Sequence, residues 1–291
     1  MAVATRLLDN VIDASWFPVQ EVAVSVKNHR RIGIGGMGWA EALVLLGIPY
    51  DSQKALSLAE KVAKTMYQTA FTVSMALAKE KGPFPLVGDS IWARKKDQPR
   101  NVALLTHPPS SNAAMIADTT FGIEPYFSLA YEQKVMEGTR LKTVVPLFIK
   151  KLQEKGIYSE ELIQKVIDNR GSCQGIREIP AEVQRIFKVA HDISWQNHIR
   201  MQAAFQKWTD NAITKTINLP AGATPNDIKK AYLYAWKLGC KGLTVYRDKA
   251  KSNQVINFGP EEKNCPHCQI PLKRDKKCLK CERCGFSTCE L

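Results

Sequence analysis

The sequence contains no run of apolar residues long enough to span a bilayer, although 45% of its 291 residues are hydrophobic. Its first residues, MAVATRLLDNVIDASW, also lack the apolar stretch that follows the charged start of a secretory signal peptide. These absences argue against a membrane-spanning or secreted protein and predict a cytoplasmic one with no membrane partner. The length suffices for one large or two smaller domains.

Cysteine is scarce over most of the chain, with only Cys173 and Cys240 before residue 265. The other six lie in the last 27 residues, which is typical of a metal or redox module in a reducing compartment and not of a secreted disulfide framework. Acidic residues are also few, 28 against 41 basic residues, so the formal net charge is +13. Because the basic residues are spread along the chain, this charge alone does not distinguish a nucleic-acid binder, a polyanion pocket and a solvated surface.

Gly33, Gly35 and Gly38 in RRIGIGGMGWAEALVLLGI have the G-x-G-x-x-G spacing of a dinucleotide-binding turn. That function also needs an acidic residue about twenty positions further on, to bind the ribose. The nearest candidate, Asp51, comes thirteen residues after Gly38 and starts a new element. The pattern therefore favours a tight strand-to-helix turn that needs small residues.

The sequence pattern predicts alternating helices and strands over most of the chain. A helix is predicted over 52–81, with Asp51 or Ser52 as its N-cap, and a second capped helix begins at Ser159 and runs over 159–169. A short strand is predicted over 101–106. The clearest unit is a strand at 212–219, a helix that begins with Thr224 and Pro225, and a second strand at 242–246. This strand-helix-strand crossover predicts an α/β fold with parallel strands. A polar linker is predicted at 249–263, and a cysteine module at 264–291.

Five segments carry a family resemblance: RLLDNVID, RRIGIGGMGWAEALVLLGIPYDS, GIEPYFSLAY, HIRMQAAFQKWTDNAITKTINLPAGAT and GCKGLTVYRD. They resemble the C-terminal part of ribonucleotide reductase catalytic chains, and most closely class II, the adenosylcobalamin-dependent (vitamin B12) enzymes. The resemblance implies that residues 1–248 form the C-terminal portion of a ten-stranded α/β barrel. It also implies that the glycine-rich turn belongs to the barrel wall and binds no dinucleotide.

In the family, the cysteine that becomes a thiyl radical lies upstream of the segment that RLLDNVID resembles, as do the cysteines of the active-site disulfide. The expectation is therefore one piece of a split reductase, or a truncated one, that is catalytically incomplete alone. Its expected partners are an N-terminal reductase chain with the radical cysteine, a ribonucleotide substrate, and thioredoxin or glutaredoxin as electron donor. The expected reaction is that of a ribonucleoside-diphosphate reductase, with adenosylcobalamin bound together with the partner chain.

The loop THPPSSNAAMIADTT lies where the family binds the substrate phosphates, and the predicted phosphate-binding residues are Pro109, Ser110, Ser111 and Asn112. The usual family pattern is Pro-Thr-Gly-Thr-x-Ser. Here Ser111 replaces the glycine, Asn112 a threonine, and Ala114 the last serine. These departures leave the choice between di- and triphosphate substrates open.

Two positions in the predicted strand GLTVYRD carry different residues in the different classes of the family. In the iron-dependent class the strand carries two adjacent tyrosines that relay a radical, and the matching positions here are Thr244 and Val245. Neither side chain is readily oxidised. The resemblance therefore implies a cofactor that acts locally, as adenosylcobalamin does.

The cysteine tail has zinc-ribbon spacing, in which two C-x-x-C knuckles supply four thiolates: Cys265, Cys268, Cys281 and Cys284. The family resemblance suggests a second role, because some members carry electrons on a mobile terminal cysteine pair, here Cys284 and Cys289. Both roles would use Cys284. If it belongs to the shuttle, Cys278 is the alternative fourth zinc ligand. The shuttle is favoured for Cys284, because Cys289 lies two residues from the chain end.

Two other functions remain open from the sequence. A basic protein with a zinc ribbon is a candidate nucleic-acid binder, although the ribbon contains Phe286 as its single aromatic residue for stacking. An inactive reductase remnant is the other alternative, and the altered phosphate loop is its only support.

Overall fold

The computed structural model describes residues 1–134, 140–248, 250, 265–268, 272–275 and 278–289. The helices in these ranges are α1 (Ala2–Ala14), α2 (Gln20–His29), α3 (Trp39–Leu45), α4 (Gln53–Lys81), α5 (Ser111–Ile116), α6 (Pro146–Glu154), α7 (Glu160–Asp168), α8 (Ala181–Ile186), α9 (Trp195–Gln206) and α10 (Pro225–Lys237). The strands are β1 (Ala130–Lys134), β2 (Arg140–Val144), β3 (Thr216–Leu219), β4 (Thr244–Arg247), β5 (Lys273–Asp275), β6 (Cys278–Lys280) and β7 (Ser287–Cys289). Short 3-10 helices lie at Pro85–Asp89 and Ala190–Asp192.

Four extended segments lie side by side, all parallel. β3 pairs with β4 with Thr216 opposite Thr244. Single bridges then join His107 to Ile213, just ahead of β3, and Leu105 to Ile34. The order across this wall is therefore 32–34, 103–107, β3 and β4, and α10 is the predicted crossover between the last two.

The predicted strand at 101–106 forms bridges instead of a continuous ladder. Its backbone has a different partner, because the carboxylate of Asp210 accepts hydrogen bonds from the N–H groups of Leu104 (2.9 Å) and Leu105 (3.2 Å). On its other side, Ile34 N–H donates to the carbonyl of Leu104 at 2.9 Å. At Leu104 and Leu105, the Asp210 side chain thus accepts the backbone hydrogen bonds that the carbonyls of a neighbouring strand would otherwise accept.

The two longest predicted helices form with the expected caps. Ser52 Oγ accepts from Ala55 N–H at 3.1 Å at the start of α4, which ends at Gly82 with φ +82°. At the start of α10, Thr224 and Asp227 form a reciprocal capping box. Such caps stabilise a helix by about 1 kcal/mol each. Fully buried alanines along α4 allow α9 and α1 to pack closely against it.

A second unit surrounds an antiparallel pair that the sequence patterns did not indicate. β1 pairs with β2, with Ala130 opposite Val144. Fully buried Leu129, Phe148 and Phe187 form the centre of the core between this pair and α6, α7 and α8. α7 begins with the predicted cap, since Ser159 Oγ accepts from Leu162 N–H at 3.1 Å.

The parallel wall is open at both sides. Within the described ranges, no strand pairs with the outer side of segment 32–34 or of β4. The same ranges contain no helix of the length and apolar character needed to cross a membrane.

The cysteine tail forms a small separate sheet, in which β5, β6 and β7 are antiparallel in that order. The predicted linker at 249–263 lies outside the described residues except at Ala250.

Candidate functional site

The glycine-rich turn packs directly against the wall. A Cβ on Gly35 would lie 2.4 Å from the carbonyl oxygen of Thr106, and one on Gly33 would lie 2.7 Å from the Thr106 side chain. Gly38 has φ +78°, and its N–H donates to the carbonyl of Thr120 at 2.9 Å. Close backbone approach therefore explains these glycines, as the packing interpretation predicts.

The predicted phosphate loop follows at the end of segment 103–107. Ser110 has φ +42° and is the N-cap of α5, with no side-chain cap hydrogen bond. The side chains of Pro109, Ser111 and Asn112 are exposed, and that of Ser110 is half-buried. The carbonyl oxygen of Pro108 would lie 2.7 Å from a Cβ on Gly122, so the loop is held against the GIEPYF segment. The four predicted residues thus sit together on one accessible turn at the end of a parallel segment.

Several buried polar atoms near this loop have no hydrogen-bond partner among the described residues. Both ring nitrogens of His107 belong to this group, and so do Trp39 Nε1, Thr120 Oγ1 and the Tyr126 hydroxyl. His107 is 1% exposed and packs edge-on against Phe205, with 4.9 Å between ring centroids. Burial lowers the pKa of His107 to about 4, so its imidazole is neutral at pH 7. Sequence reasoning missed these residues, because nothing in their spacing indicates burial.

A buried ion pair anchors the GIEPYF segment to the wall. Lys215 is fully buried, and its Nζ donates to Glu124 Oε2 at 2.8 Å and to His198 Nδ1 at 2.8 Å. The other oxygen of Glu124 accepts from the N–H of Thr216 at 2.6 Å. Burial, and then the nearby Lys215 charge, lower the pKa of His198, which leaves it neutral and able to accept. The network fixes the GIEPYF segment, which contacts the predicted phosphate loop, against β3.

The tail brings four cysteines together. The sulfur atoms of Cys265, Cys268, Cys281 and Cys284 all lie within 4.8 Å of one another. A tetrahedral zinc site with bonds of about 2.3 Å places its sulfurs about 3.8 Å apart, so this cluster fits the ion. Burial raises the pKa of Cys281, but backbone N–H groups of Cys284 and Arg283 offset this and bring it to about 7, which favours a thiolate.

Cys278 is not among the four cysteines of this cluster. Cys278 is in a disulfide, and it begins β6 with Cys289 opposite it on β7. Cys284, which the sequence assigned to two roles, lies with the cluster and has a free thiol. Phe286 packs against the His267 ring with 5.5 Å between centroids, so the ribbon's aromatic residue is engaged within the module.

On β4, Thr244 is exposed and Val245 half-buried. Tyr246, the one aromatic residue of this strand, is half-buried and lies opposite Asn218 of β3. The two positions at which the resemblance predicts a difference between classes therefore lie on β4, an edge strand of the wall among the described residues.

Comparison with known proteins agrees with this geometry. The family model described as "Ribonucleotide reductase, barrel domain" matches residues 1–102 and 95–246. The chain belongs to the ribonucleotide reductase family. The alpha subunit of the class Id ribonucleotide reductase of Actinobacillus ureae has the same fold, with a TM-score of 0.73 and 25% identity over 86% of this chain and 46% of that one.

Individual ribonucleotide reductases are also similar to this chain in sequence. Proteins named vitamin B12-dependent ribonucleoside-diphosphate reductase are 43% identical in Thermoplasma acidophilum and 42% identical in Mycobacterium tuberculosis, over 90% and 88% of this chain. The large subunit of the ribonucleoside-diphosphate reductase of Danio rerio is 31% identical over 87% of the chain. The chain spans about a third of the length of these relatives, 34–36%. The resemblance drawn from the sequence motifs is thereby confirmed.

Proposed function

We propose that this chain forms the C-terminal part of the barrel of an adenosylcobalamin-dependent ribonucleoside-diphosphate reductase and acts together with an N-terminal reductase chain. The observation that carries the proposal is the parallel wall with two unpaired edges among the described residues. Unpaired strand edges of this kind are normally covered or closed into a barrel. The higher identity to the B12-dependent relatives than to the Danio rerio subunit supports the choice of class.

The surface of α1 supports a partner as well. Its buried face carries Ile12 and also Asp9, which pairs with Arg30 Nε at 2.9 Å, whereas three other apolar side chains of the helix point outward. Val3, Leu7 and Val11 follow one another at helical spacing and are 82%, 58% and 46% exposed. An apolar stripe directed to solvent is expected where another protein surface covers it. The remaining part of the barrel is the partner that would cover this stripe.

Pro109, Ser110, Ser111 and Asn112 would bind the phosphates of the ribonucleotide. The hydroxyls of the two serines and the amide of Asn112 are hydrogen-bond donors on an accessible turn, and phosphate oxygens accept such bonds strongly. The Lys215–Glu124 pair would hold the segment behind the loop in place while substrate binds. The name of the relatives, ribonucleoside-diphosphate reductase, supports a ribonucleoside diphosphate as the substrate.

Reduction would replace the 2′ hydroxyl of the ribose by hydrogen. A thiyl radical on the partner chain would remove the 3′ hydrogen and later return it. The hydroxyl would leave as water, and the two electrons would come from a cysteine pair of the partner chain, which becomes a disulfide. Bound adenosylcobalamin would supply the radical that forms this thiyl. Thr244 and Val245 fit such a locally acting cofactor, because β4 offers no pair of tyrosines for a relay at these positions. The part played by this chain is to bind and orient the substrate and to close the barrel around it.

In the tail, Cys265, Cys268, Cys281 and Cys284 would hold a zinc ion that keeps the ribbon folded. Zinc has no redox chemistry of its own, so its role there is structural. With Cys284 in this set, Cys278 is not needed as a ligand.

The proposed function is tested by reconstitution. The chain is mixed with the upstream two thirds of the Thermoplasma acidophilum relative, and conversion of CDP to dCDP is measured with adenosylcobalamin and dithiothreitol. We expect dCDP only when both pieces and the cofactor are present. The same upstream piece mixed with its own C-terminal third serves as the positive control. Activity of that control without any from the mixture would overturn the proposal, and so would turnover by this chain alone.

A further inference from the structure

The helix that carries part of the predicted phosphate loop packs weakly against the rest of the molecule. α5 contains two of the predicted phosphate-binding residues, Ser111 and Asn112, and is six residues long. Ala114 is its one buried residue, and the other five are exposed. A helix of this length is marginal in water by itself, because forming its first turn fixes several residues for one hydrogen bond. Its order therefore depends on what holds it from outside.

The backbone is left-handed at both ends of α5. Ser110 precedes the helix with φ +42°, and Asp118 follows it with φ +49°. Residues other than glycine adopt this conformation at a cost and keep it only where the surroundings impose it. At the second end, the N–H of Thr119 donates to the carbonyl of Ala114 at 3.0 Å, and its hydroxyl donates to Glu41 of α3. α3 thus fixes the end of α5 that lies farther from the phosphate-binding residues.

Exposed apolar side chains lie at this same end of the helix. Met115 and Ile116 are 70% and 89% exposed. Met37 is 42% exposed and precedes Gly38, whose N–H donates to the carbonyl of Thr120 at 2.9 Å. We call Met37, Met115 and Ile116 the α5 patch. Neighbouring exposed apolar side chains are expected where another molecule covers them, and methionines adapt well to such a contact.

The α5 patch lies at the end of the wall at which α/β proteins bind their ligands. Parallel segments 32–34 and 103–107 lead into the glycine-rich turn and the phosphate loop, respectively. Met37 belongs to this turn, and Met115 and Ile116 follow this loop. Open parallel sheets bind ligands outside the carboxyl ends of their strands. A molecule that covers the α5 patch therefore borders the phosphate loop as well.

We propose that the upstream reductase chain covers the α5 patch and thereby orders the phosphate loop, so that the ribonucleotide phosphates bind firmly only after the two chains have joined. The identity of this partner rests on the proposed function. The chain spans 34–36% of the length of its relatives, so most of the relatives' length remains to supply the covering surface. A phosphate on Ser111 does not cover Ile116, because the two residues are about 7.5 Å apart along the helix axis.

Docking and substrate binding are coupled because both act on α5. Covering Met115 and Ile116 removes apolar surface from water and so favours the ordered helix. The ordered helix holds Ser111 and Asn112 in place, and the phosphate then has less chain to order when it binds. Linkage also requires the converse: bound nucleotide tightens the association of the two chains by the same factor.

Ordering of α5 is tested by hydrogen exchange on the chain alone, with CDP, and with the upstream two thirds of the Thermoplasma acidophilum relative. We expect the amides of Ala114 and Ala117 to exchange rapidly in the first two samples and about tenfold or more slowly in the third, a change typical of such coupling. The amides of α7 are the internal control. Protection of α5 by CDP alone, or protection of α1 without protection of α5 in the mixture, would overturn the proposal.

The role of the patch is tested with Ile116→Asp, which places a charge on the surface that the partner would cover. Leu141→Asp is the matched control, because Leu141 is 53% exposed on β2 in the second unit. We expect Ile116→Asp to keep its melting temperature and to bind the upstream piece about tenfold more weakly, as loss of an apolar contact in an interface does. Saturating CDP should tighten binding of the unsubstituted chain and of Leu141→Asp, and should not tighten that of Ile116→Asp. Equal affinities and equal CDP effects for the two variants would overturn the proposal.

These outcomes separate the inference from the proposed function. If the upstream piece does not bind the unsubstituted chain at all, the proposed function fails and the inference fails with it. If the piece binds and protects α1, while Ile116→Asp binds as tightly as the unsubstituted chain, the assignment to the barrel stands and the role of the α5 patch is wrong.

Discussion

Lys215 illustrates how one residue organises this site. Its ammonium is fully buried and hydrogen-bonds to Glu124, His198 and the carbonyl of Thr216. Burial lowers the pKa of Lys215, while the Glu124 charge opposes that shift and stabilises the ammonium. The sequence could not predict this pair, because 91 residues separate its two members and a lysine in a strand is ordinarily solvated.

We expect Lys215→Met to lower the free energy of unfolding by about 3–5 kcal/mol, because it leaves the Glu124 carboxylate buried without its counterion. The double variant Lys215→Met, Glu124→Gln should recover part of this loss. Lys188→Met is the matched control, since Lys188 pairs with Asp51 at a partly exposed site and should cost about 1 kcal/mol or less. Urea denaturation followed by circular dichroism measures all three. Equal losses for Lys215→Met and Lys188→Met would contradict the anchoring role.

Gly35 and Gly36 are neighbours with different surroundings. A Cβ at Gly35 would collide with the carbonyl of Thr106, whereas one at Gly36 would meet no atom within 4 Å. We therefore expect Gly35→Ala to destabilise the fold by about 1–3 kcal/mol, as overpacking does. Gly36→Ala should stay within about 0.5 kcal/mol of the unsubstituted chain. A similar melting temperature for both variants would show that the turn does not need close approach at Gly35.

At the scale of elements, local signals predicted the helices better than the strands. α4, α7 and α10 begin at the expected caps because those caps are made within four residues. Segment 101–106 differs from its predicted strand, because the Asp210 carboxylate, which comes from a distant part of the chain, binds its backbone. The β1–β2 pair was also missed, because packing against α6 and α7, and not a local sequence pattern, determines which of its side chains are buried.

We expect the three-stranded cysteine module to depend on a bound metal for its stability. Among its described residues, the buried hydrophobic cluster consists of Cys265, Leu272 and Cys281, and a cluster of this size is too small to hold three short strands together. We expect chelation of zinc to remove the amide protection of β5–β7 in hydrogen exchange and leave α4 and α9 protected, because folding of such a module is coupled to metal binding. Cys265→Ser should have the same effect as chelation, and Cys240→Ser should have none. Protected ribbon amides in the metal-free chain would contradict a structural metal.

At the scale of the whole molecule, the described residues form part of a barrel wall. The motifs quoted from the sequence were sufficient to predict the family and the parallel crossover. They did not indicate which surfaces are exposed, because exposure depends on the packing of the entire chain. Two surfaces emerge only from the structure: the outward apolar stripe of α1, and the edges at segment 32–34 and β4, which pair with no further strand in the described part of the chain. The proposed upstream part of the barrel would cover both surfaces, which would then form a single interface.

The most direct test of this account is hydrogen exchange on the chain, alone and mixed with the upstream two thirds of the Thermoplasma acidophilum relative. Ile32 and Ile34 N–H already donate to the carbonyls of Ala103 and Leu104, so the edge of this segment is reported by Gly33. We predict that the amide of Gly33 and the β4 amides that do not bond to β3 exchange rapidly in the chain alone and become protected in the mixture, and that protection of α1 increases. The amides of α7, which lies in the second unit, serve as the internal control and should not change. Unaltered exchange at both edges in a mixture that contains the upstream piece in excess would contradict the claim that this chain completes a reductase barrel.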